Sequence, residues 1–168
     1  KAYLNLGGPT HLLSKVSNGL GGEISIEYTP STSYYNYLPN MTGRLPFAIP
    51  VSKITLSDGE GNSFTTNYSY KDGLYNAKER EFRGFGYTKI TDAEGNYAES
   101  YFKQDDIYKG RLYKQEFKDR NGNVYSKTEN SWQDNQTYPG ASFVYLAETN
   151  NYTYDGDASG RRTKTQYF

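Results

Sequence analysis

The chain has 168 residues, enough for one domain, and 19 basic residues balance 19 acidic residues to a formal net charge of zero. This balance gives no electrostatic footprint for nucleic acid or for an anionic membrane surface, and the absence of cysteine excludes disulfides and thiolate zinc sites. Tyrosine and glycine are abundant, with 19 and 17 copies. Because aromatic side chains suit a pleated surface, this composition favours β-sheet.

Paired extended segments separated by short turns account for most of the chain. In EISIEY, residues 23–28, the side chains of Ile24, Ile26 and Tyr28 share one face, and SFTTNYSY, residues 63–70, alternates in the same way. Period-two patterning around a short Gly/Asn turn is typical of a β-hairpin. We therefore predict an all-β fold of successive antiparallel hairpins that form an extended twisted sheet. The predicted pairs are HLLSKVS with EISIEY, SKITLS with SFTTNYSY, GYTKIT with YAESYF, and YKQEFK with VYSKTENSW.

A turn signal of the form D-x-x-G-N lies within three of these pairs. Aspartate opens such a turn because its side chain can accept hydrogen bonds from backbone amides two residues on, and glycine follows where a positive φ is needed. Looser copies begin at Asn18 and Asp157, and the copies lie roughly 27 to 40 residues apart, as in repeat architectures. The turn residues to which we assign this structural role are Asp58, Gly61, Asn62, Asp92, Gly95, Asn96, Asp119, Gly122 and Asn123.

Two connections are predicted to be irregular. Residues 29–50 contain four of the six prolines and indicate a long surface excursion, and QDNQTYPGAS, residues 133–142, indicates a second one. Helical signals are weak. The best helical window is GLYNAKEREF, residues 73–82, which lacks a good N-cap and is followed by Gly84 and Gly86.

The two ends of the sequence suggest a part of something larger. The chain begins without methionine and ends in RRTKTQYF, which resembles an incomplete strand. We therefore expect residues 1–168 to form a single β-rich segment of a longer protein. No apolar run approaches the roughly 18 residues of a membrane-spanning helix, so we predict no membrane span.

Few residues are suited to catalysis or metal binding. His11 is the only histidine and no G-x-S-x-G nucleophile elbow is present, so a Ser-His-Asp site is not predicted. Asp155 and Asp157 in DGDASG are spaced as in a calcium loop, but the later bidentate carboxylate is missing and the segment suits a turn. The glycine clusters do not match a phosphate-binding loop. We predict no catalytic residue, no metal and no cofactor, while the tyrosine-rich hairpins leave sugar stacking open.

The block EREFRGFG allows two interpretations. In the first it is a structural corner, in which the phenylalanines anchor against the sheet, the glycines permit a tight bend, and the arginines pair with nearby glutamates or carbonyls. In the second, Glu79 and Glu81 share one face of a strand as a paired-carboxylate site. The residues of the block are Glu79, Arg80, Glu81, Phe82, Arg83, Gly84, Phe85 and Gly86.

Together these motifs resemble the B component of bacterial insecticidal toxin complexes, the Tc toxins, and the related SpvB/Rhs proteins with YD repeats. The specific segments are LPFAIPV at residues 45–51, EREFRGFG at 79–86 and QDDIYKGR at 104–111. The stretch HLLSKVSNGLGGEISIEYTPSTSYY, residues 11–35, also looks like this region. The likeness covers most of residues 9–132, and the remainder shows only the generic pattern of Rhs/YD repeats.

The resemblance implies a structural role. It implies a piece of wall in the hollow β-sheet shell of a secreted bacterial toxin, which encloses a cytotoxic polypeptide before delivery. The implied partners are the rest of that shell, the enclosed polypeptide and, through other regions, a translocation channel. It supplies no catalytic residue. A cell-surface adhesin or carbohydrate-binding YD-repeat protein is the main alternative, and a glycosidase that uses Glu79 and Glu81 is a more distant one.

Overall fold

The computed structural model describes residues 12–36, 48–138, 140–154 and 159–167. They form one sheet of ten antiparallel strands, in which each strand pairs with its neighbours in the sequence. The prediction of an all-β fold built from successive antiparallel hairpins is confirmed. The strands are β1 (Lys15–Ser17), β2 (Glu23–Tyr28), β3 (Val51–Ser57), β4 (Ser63–Asn76), β5 (Glu81–Thr91), β6 (Tyr97–Phe102), β7 (Leu112–Lys118), β8 (Val124–Tyr138), β9 (Ala141–Thr153) and β10 (Arg161–Gln166), with a 3-10 helix at Ser31–Ser33.

The hairpin of β8 and β9 is longer than the sequence pattern suggests. Of residues 133–142, which were predicted to be irregular, 133–138 instead continue β8 and 141–142 begin β9, and Asp134 pairs with Val144. The polar side chains of this stretch bond across the ladder, with the Tyr145 hydroxyl donating to Gln133 Oε1 at 2.7 Å and the Ser142 hydroxyl donating to Asp134 Oδ2 at 3.0 Å. The prediction was wrong because polar residues that resemble a loop here serve as cross-strand partners.

The weak helical window forms a hairpin. Tyr75 pairs with Phe82 across β4 and β5, and the intervening turn spans residues 77–80. The Asn76 side chain stabilises this turn, because its Oδ1 accepts the backbone amides of Lys78 and Glu79 at 3.0 and 3.2 Å. Local capping by an asparagine and pairing of the flanking strands therefore prevail over the helical propensity of the intervening residues.

The described flanks of the Pro-rich connection bond to each other. The Ser31 amide donates to the Ala48 carbonyl at 2.8 Å, and the Ala48 amide donates to the Ser31 hydroxyl at 3.0 Å, with Ser31 fully buried. Residues 37–47 of this connection lie outside the described residues. So do His11 and the candidate calcium ligands Asp155 and Asp157, the second of which also opens the last predicted turn.

The three D-x-x-G-N turns share one geometry. The backbone amides of Asp58, Asp92 and Asp119 donate to the carbonyl of the asparagine four residues on, at 3.3, 2.9 and 3.0 Å. Each aspartate Oδ1 also accepts the amides two and four residues on, and each Oδ2 accepts the asparagine side chain. The glycines have φ values of 102, 90 and 90°. Because such a turn satisfies its own polar groups, it can end a ladder without support from another layer.

The Asn18 turn, the looser copy of the motif, packs against the Asp58 turn. Asn18 Oδ1 accepts the amides of Leu20 and Gly22 at 2.9 and 3.0 Å, as in the other turns. A Cβ placed on Gly59 would lie 2.6 Å from the backbone carbonyl of Gly21. The first two hairpins therefore meet backbone to backbone at their tips, and this contact needs a glycine.

The sheet encloses little core. Among the described residues, Leu74 and Tyr87 are the only apolar side chains that are buried. Rows of cross-strand partners take the place of a core. One such row runs in register across β4 to β8 through Lys71, Tyr87, Tyr101, Lys114 and Glu129. In the described part of the chain, no helix is long and apolar enough to cross a membrane.

The contact between the two turn tips predicts unequal effects for two glycine substitutions. Gly59→Ala and Gly61→Ala both place a side chain at positive φ, which costs roughly 1 to 2 kcal/mol. Only Gly59→Ala adds a clash, because nothing lies within 4 Å of a Cβ on Gly61. We expect Gly59→Ala to lower the hydrogen-exchange protection of β1 to β4 more than Gly61→Ala does, measured in the full-length parent polypeptide. Equal losses for the two variants would contradict the turn contact.

Candidate functional site

The most specialised part of the sheet is where β4 and β5 bulge. Gly73 pairs with Phe85 and Tyr75 pairs with Phe82, so β5 carries one extra residue between these pairs. The backbone adapts through Gly84, with φ of 79°, and through Asp72, a non-glycine residue with φ of 57°. A bulge bends its strand and leaves ladder groups unpaired. We call this region, residues 72–73 and 83–86 with the facing residues 104–106, the bulge junction.

Gln104 replaces the hydrogen bonds that the bulge interrupts. Its side-chain amide donates to the carbonyl of Asp72 at 2.8 Å and to the carbonyl of Gly84 at 2.9 Å, and so joins the two bulged strands. Gly86 makes room for it, since a Cβ there would lie 2.8 Å from Gln104 Oε1. Gln104 of QDDIYKGR and Gly86 of EREFRGFG are therefore in close contact.

Arg83 connects the same two motifs through charge. Its side chain is 6% exposed, and its guanidinium donates to the Gln104 carbonyl at 3.1 Å and to the Asp106 carboxylate. The hydrogen bond from Arg83 lowers the pKa of Asp106. Glu81 lies 3.9 Å from Arg83 Nε and 2.5 Å from Lys109 Nζ. Because the guanidinium is nearly enclosed, its bonds fix the position of the loop after β6 relative to β5.

An aromatic cluster packs beside the junction. The rings of Tyr70 and Phe85 are 4.8 Å apart, and Phe82 and Tyr34 approach Phe85 edge-on at 5.6 and 6.4 Å. The Tyr70 hydroxyl donates to the Val51 carbonyl at 2.8 Å, and burial raises the pKa of Tyr70 to about 12. The cluster thereby holds the segment after β2 against the sheet.

That segment also bonds directly to the bulge. The Asp72 amide donates to the Tyr35 carbonyl at 2.9 Å, and the Gly73 amide donates to Asn36 Oδ1 at 3.0 Å. Three stretches far apart in sequence therefore converge on one irregularity of the β4–β5 ladder.

The structure modifies both interpretations of the EREFRGFG block. The tight turn, residues 77–80, includes Glu79 and Arg80 at the start of the block, while Glu81 to Gly86 belong to β5. The corner therefore becomes a bulge within a strand, with Gly84 as its positive-φ residue and Gly86 as a point of close approach. The premise of the paired-carboxylate interpretation is wrong, because Glu79 and Glu81 do not lie on one strand.

Sequence reasoning missed three residues of the junction. Gln104 and Asp106 belong to a segment that was noted for its resemblance, but nothing in the sequence placed it beside Arg83 or Gly84, which precede it by about 20 residues. Asp72 gave no signal at all, since positive φ is expected of glycine or asparagine rather than of an aspartate within a strand.

A second cluster of charges lies on the sheet across β5, β6 and β7. Glu99 accepts a hydrogen bond from the Tyr87 hydroxyl and one from Lys118 Nζ, both at 2.5 Å, and Lys118 also contacts Glu116 at 3.0 Å. Burial acts to raise the pKa values of Glu99 and Glu116, but the lysine hydrogen bonds outweigh it and the net shifts are downward. Burial would lower the pKa of Lys118, and the two glutamates raise it instead. The carboxylates are thus held in ion pairs.

No metal site is formed by the part of the chain that the structure describes, where no three histidine, aspartate or glutamate side chains lie together as ligands. In that same part, the carboxylates of Glu81, Asp106, Glu99 and Glu116 are engaged by lysine, arginine or tyrosine. The arrangement is suited to fixing the geometry of the sheet.

Comparison with known proteins gives a family match. A family model described as the insecticide toxin TcdB middle/N-terminal region matches residues 2–116, which include β1 to β6 and the whole bulge junction. A search of curated protein sequences finds no significant match.

Solved structures share the fold. The chain is similar to structures described as TcdB2-TccC3-TEV and as TcdB2-TccC3 without its hypervariable C-terminal region, with TM-scores of 0.74 and 0.73, 19% identity, and coverage of 92% of this chain in each case. It is also similar to a Photorhabdus luminescens Tc holotoxin pore carrying the mutation TccC3-D651A, with a TM-score of 0.70, 19% identity and 93% coverage. The chain spans 11 to 12% of the length of these matched chains.

The hydrogen bonds of Gln104 predict a local loss of stability on substitution. Gln104→Leu keeps most of the volume but removes both donors, which leaves the Asp72 and Gly84 carbonyls unsatisfied at a cost of roughly 1 to 3 kcal/mol. We expect faster hydrogen exchange in peptides from β4 and β5 of the full-length parent. Gln136→Leu is the matched control, because Gln136 is exposed and donates to Asp134 at 3.1 Å. Equal effects of the two variants would remove the special role of Gln104.

The ion pairs of Glu99 and Glu116 predict acid sensitivity in β6 and β7. Their folded-state pKa values lie below the ordinary value of 4.5, so their stabilisation is complete above pH 4.5 and is lost as the pH falls through the folded values. We expect the protection factors of residues 97–118 in the full-length parent to fall over this range. Glu99→Gln should lower protection at neutral pH and flatten the pH dependence, and Glu60→Gln in an exposed turn should change neither. An unchanged pH profile in Glu99→Gln would contradict this assignment.

Proposed function

The chain belongs to the insecticide toxin TcdB middle/N-terminal family, and from this premise we propose that it is a structural wall segment of a bacterial toxin shell. The shell encloses a cytotoxic polypeptide before delivery, and its action is steric: the wall separates the cargo from solvent, proteases and other chains. The fold shared with TcdB2-TccC3 structures supports a place within a toxin complex.

The observation that carries the proposal is the single open sheet. Its ten strands lie in sequence order, and its described part has almost no enclosed core. A domain that works alone normally buries a hydrophobic face between two layers. A sheet that extends by one hairpin after another, and is held in shape by cross-strand side chains, is instead suited to cover area as a wall.

The chemistry of the site supports a role without catalysis. The matched family is a region of an insecticide toxin, and two of the motifs that carry the resemblance, EREFRGFG and QDDIYKGR, bond to each other in the bulge junction. Glu81, one of the two glutamates of the glycosidase hypothesis, is engaged by Lys109 at 2.5 Å. Arg83 is enclosed and bonds to a carbonyl and a carboxylate of its own chain. We assign both residues to the maintenance of wall geometry.

The proposed partners follow from the same role. They are the remainder of the toxin shell, including a component that corresponds to the TccC3 named in the matched structures, the enclosed cytotoxic polypeptide, and a translocation channel that other regions contact. The proposed location is outside the bacterial cell, in the secreted toxin or at the cell surface.

The test is protection of the cargo in the assembled complex. The full-length parent is prepared with its cargo-carrying partner and treated with protease, and the survival of the cargo is followed with time. We expect the wild-type complex to protect the cargo. We expect Arg83→Met to increase cargo cleavage several-fold, because it loosens the bulge junction. Arg120→Met, which changes an exposed turn residue in the same way, is the control.

Electron microscopy of the same complex tests the architecture directly. A closed hollow particle with internal density supports the proposal. Fibres or stalks without a cavity, together with saturable binding on a glycan array that is lost on substitution of exposed tyrosines, would overturn it in favour of the adhesin alternative.

A further inference from the structure

Four apolar side chains form an exposed row at the N-terminal end of the sheet. Val16 pairs with Ile24, Ile24 with Leu56 and Leu56 with Phe64, so the four lie on one face of four successive strands. At strand spacings of about 4.8 Å, this row is roughly 14 Å long. Leu56 and Phe64 are 48 and 52% exposed, and Val16 and Ile24 are also exposed. We call these residues the apolar row.

The apolar row is part of a larger surface. Leu20, in the adjacent turn between β1 and β2, is 90% exposed. Ile26 and Ile54, which pair with each other one step further along the strands, continue the row. The side chains of the row line a depression of about 350 Å³. A contiguous exposed apolar surface of this kind marks a site of contact with another apolar surface.

The row is also held rigid. The two hairpins that form it meet at their tips, where Gly59 packs against the Gly21 backbone too closely for any side chain. Register across β1 to β4 is fixed on both sides of the row by the ladder pairs and by the Asn18 and Asp58 turns. A preformed surface loses little conformational freedom when it is covered, which favours docking.

We propose that the apolar row is an internal docking surface, covered in the parent by another apolar segment of the same toxin polypeptide. The matched solved chain is about eight times as long as this one, since 92% of this chain covers 11% of it, so polypeptide to cover the row is available in cis. The four side chains carry no charge, although Glu23 and Asp58 also line the depression, so the covering segment is apolar where it meets the row. The inference rests on the proposed function only in that the chain works within a longer toxin, and it does not require a cavity.

The test measures the accessibility of a single introduced thiol. Leu56→Cys is compared with Glu27→Cys, whose side chain is 61% exposed in the neighbouring strand and pairs with Lys53. The 168 residues contain no cysteine, so peptide mass spectrometry assigns each modification without ambiguity. Both variants are made in the full-length parent and treated with N-ethylmaleimide, and each rate is divided by the rate of the same peptide in denaturant. We expect modification of Leu56→Cys to be slower than that of Glu27→Cys by about tenfold or more.

A second, bulkier maleimide distinguishes direct coverage of the apolar row from enclosure of the row within a hollow shell. Protection of Leu56→Cys from both reagents supports direct coverage. Protection from the bulky reagent alone means that the row faces an enclosed but open space, which overturns the docking surface and leaves the shell intact. Rapid modification by both reagents overturns it outright. Protection that disappears on dilution assigns the cover to a second copy and also overturns the proposal.

Wild-type protein provides a measurement that needs no substitution. Hydroxyl-radical oxidation of Phe64 in the parent, divided by the rate in denaturant, reports the coverage of the native side chain. An uncovered Phe64 at 52% exposure should be protected only about twofold, whereas a covered one should be protected about tenfold or more. Twofold protection would overturn the proposal even if the cysteine variants failed to fold.

Discussion

The backbone ladder between sequence neighbours is the interaction on which this structure depends. With little enclosed core in the described residues, apolar burial cannot position the strands, so hydrogen bonds along nine strand pairs and the side chains that cross them must do so. The pairing register of a β-ladder is fixed by the turns at its ends. The D-x-x-G-N turns define one end of three hairpins, since in each turn the aspartate side chain accepts the backbone amides two and four residues on and the side chain of the asparagine.

The connections at the opposite rim of the sheet are not built from a repeated turn. There the connections differ from one another, and the ladder between β4 and β5 is interrupted by a bulge that local residues do not satisfy. Gln104 and the segment after β2 supply the missing bonds from positions 20 to 37 residues away, and the Arg83 side chain in the bulge bonds back to the Gln104 carbonyl. The motifs EREFRGFG and QDDIYKGR meet near this rim. Each contact here joins residues that occur once in the chain, whereas the turns at the other rim use a repeated motif. The repeated turns thus keep the hairpins regular, and the bulge junction sets the local bend of the sheet.

This division also explains what the sequence could predict. The D-x-x-G-N turns and most of the strands that they join follow from rules that act over four to eight residues, and the structure has them where those rules place them. The extension of β8 to Tyr138 and the start of β9 at Ala141 were not predicted, because polar side chains such as Asp134 and Gln133 find their partners across the hairpin. The pairing of Gln104 with Gly84, and the positive φ of Asp72, depend on contacts that no local pattern encodes. The composition of the EREFRGFG block marked it as unusual. Whether it forms a corner or a bulge depends on its pairing with β4, which the sequence does not show.

The strict sequence order of the strands has a consequence for how the sheet forms. Every ladder joins two strands that are consecutive in the sequence, so no strand depends on a distant partner. The entropic cost of loop closure is therefore small, except at the Pro-rich connection. Such a chain can fold progressively as it emerges from the ribosome, each new hairpin using the previous strand as its template. The growing edge is then always the most recent strand, and it is covered as soon as the next one appears. A protein that must present a long β-edge during synthesis thereby limits the time for which that edge is available to other chains.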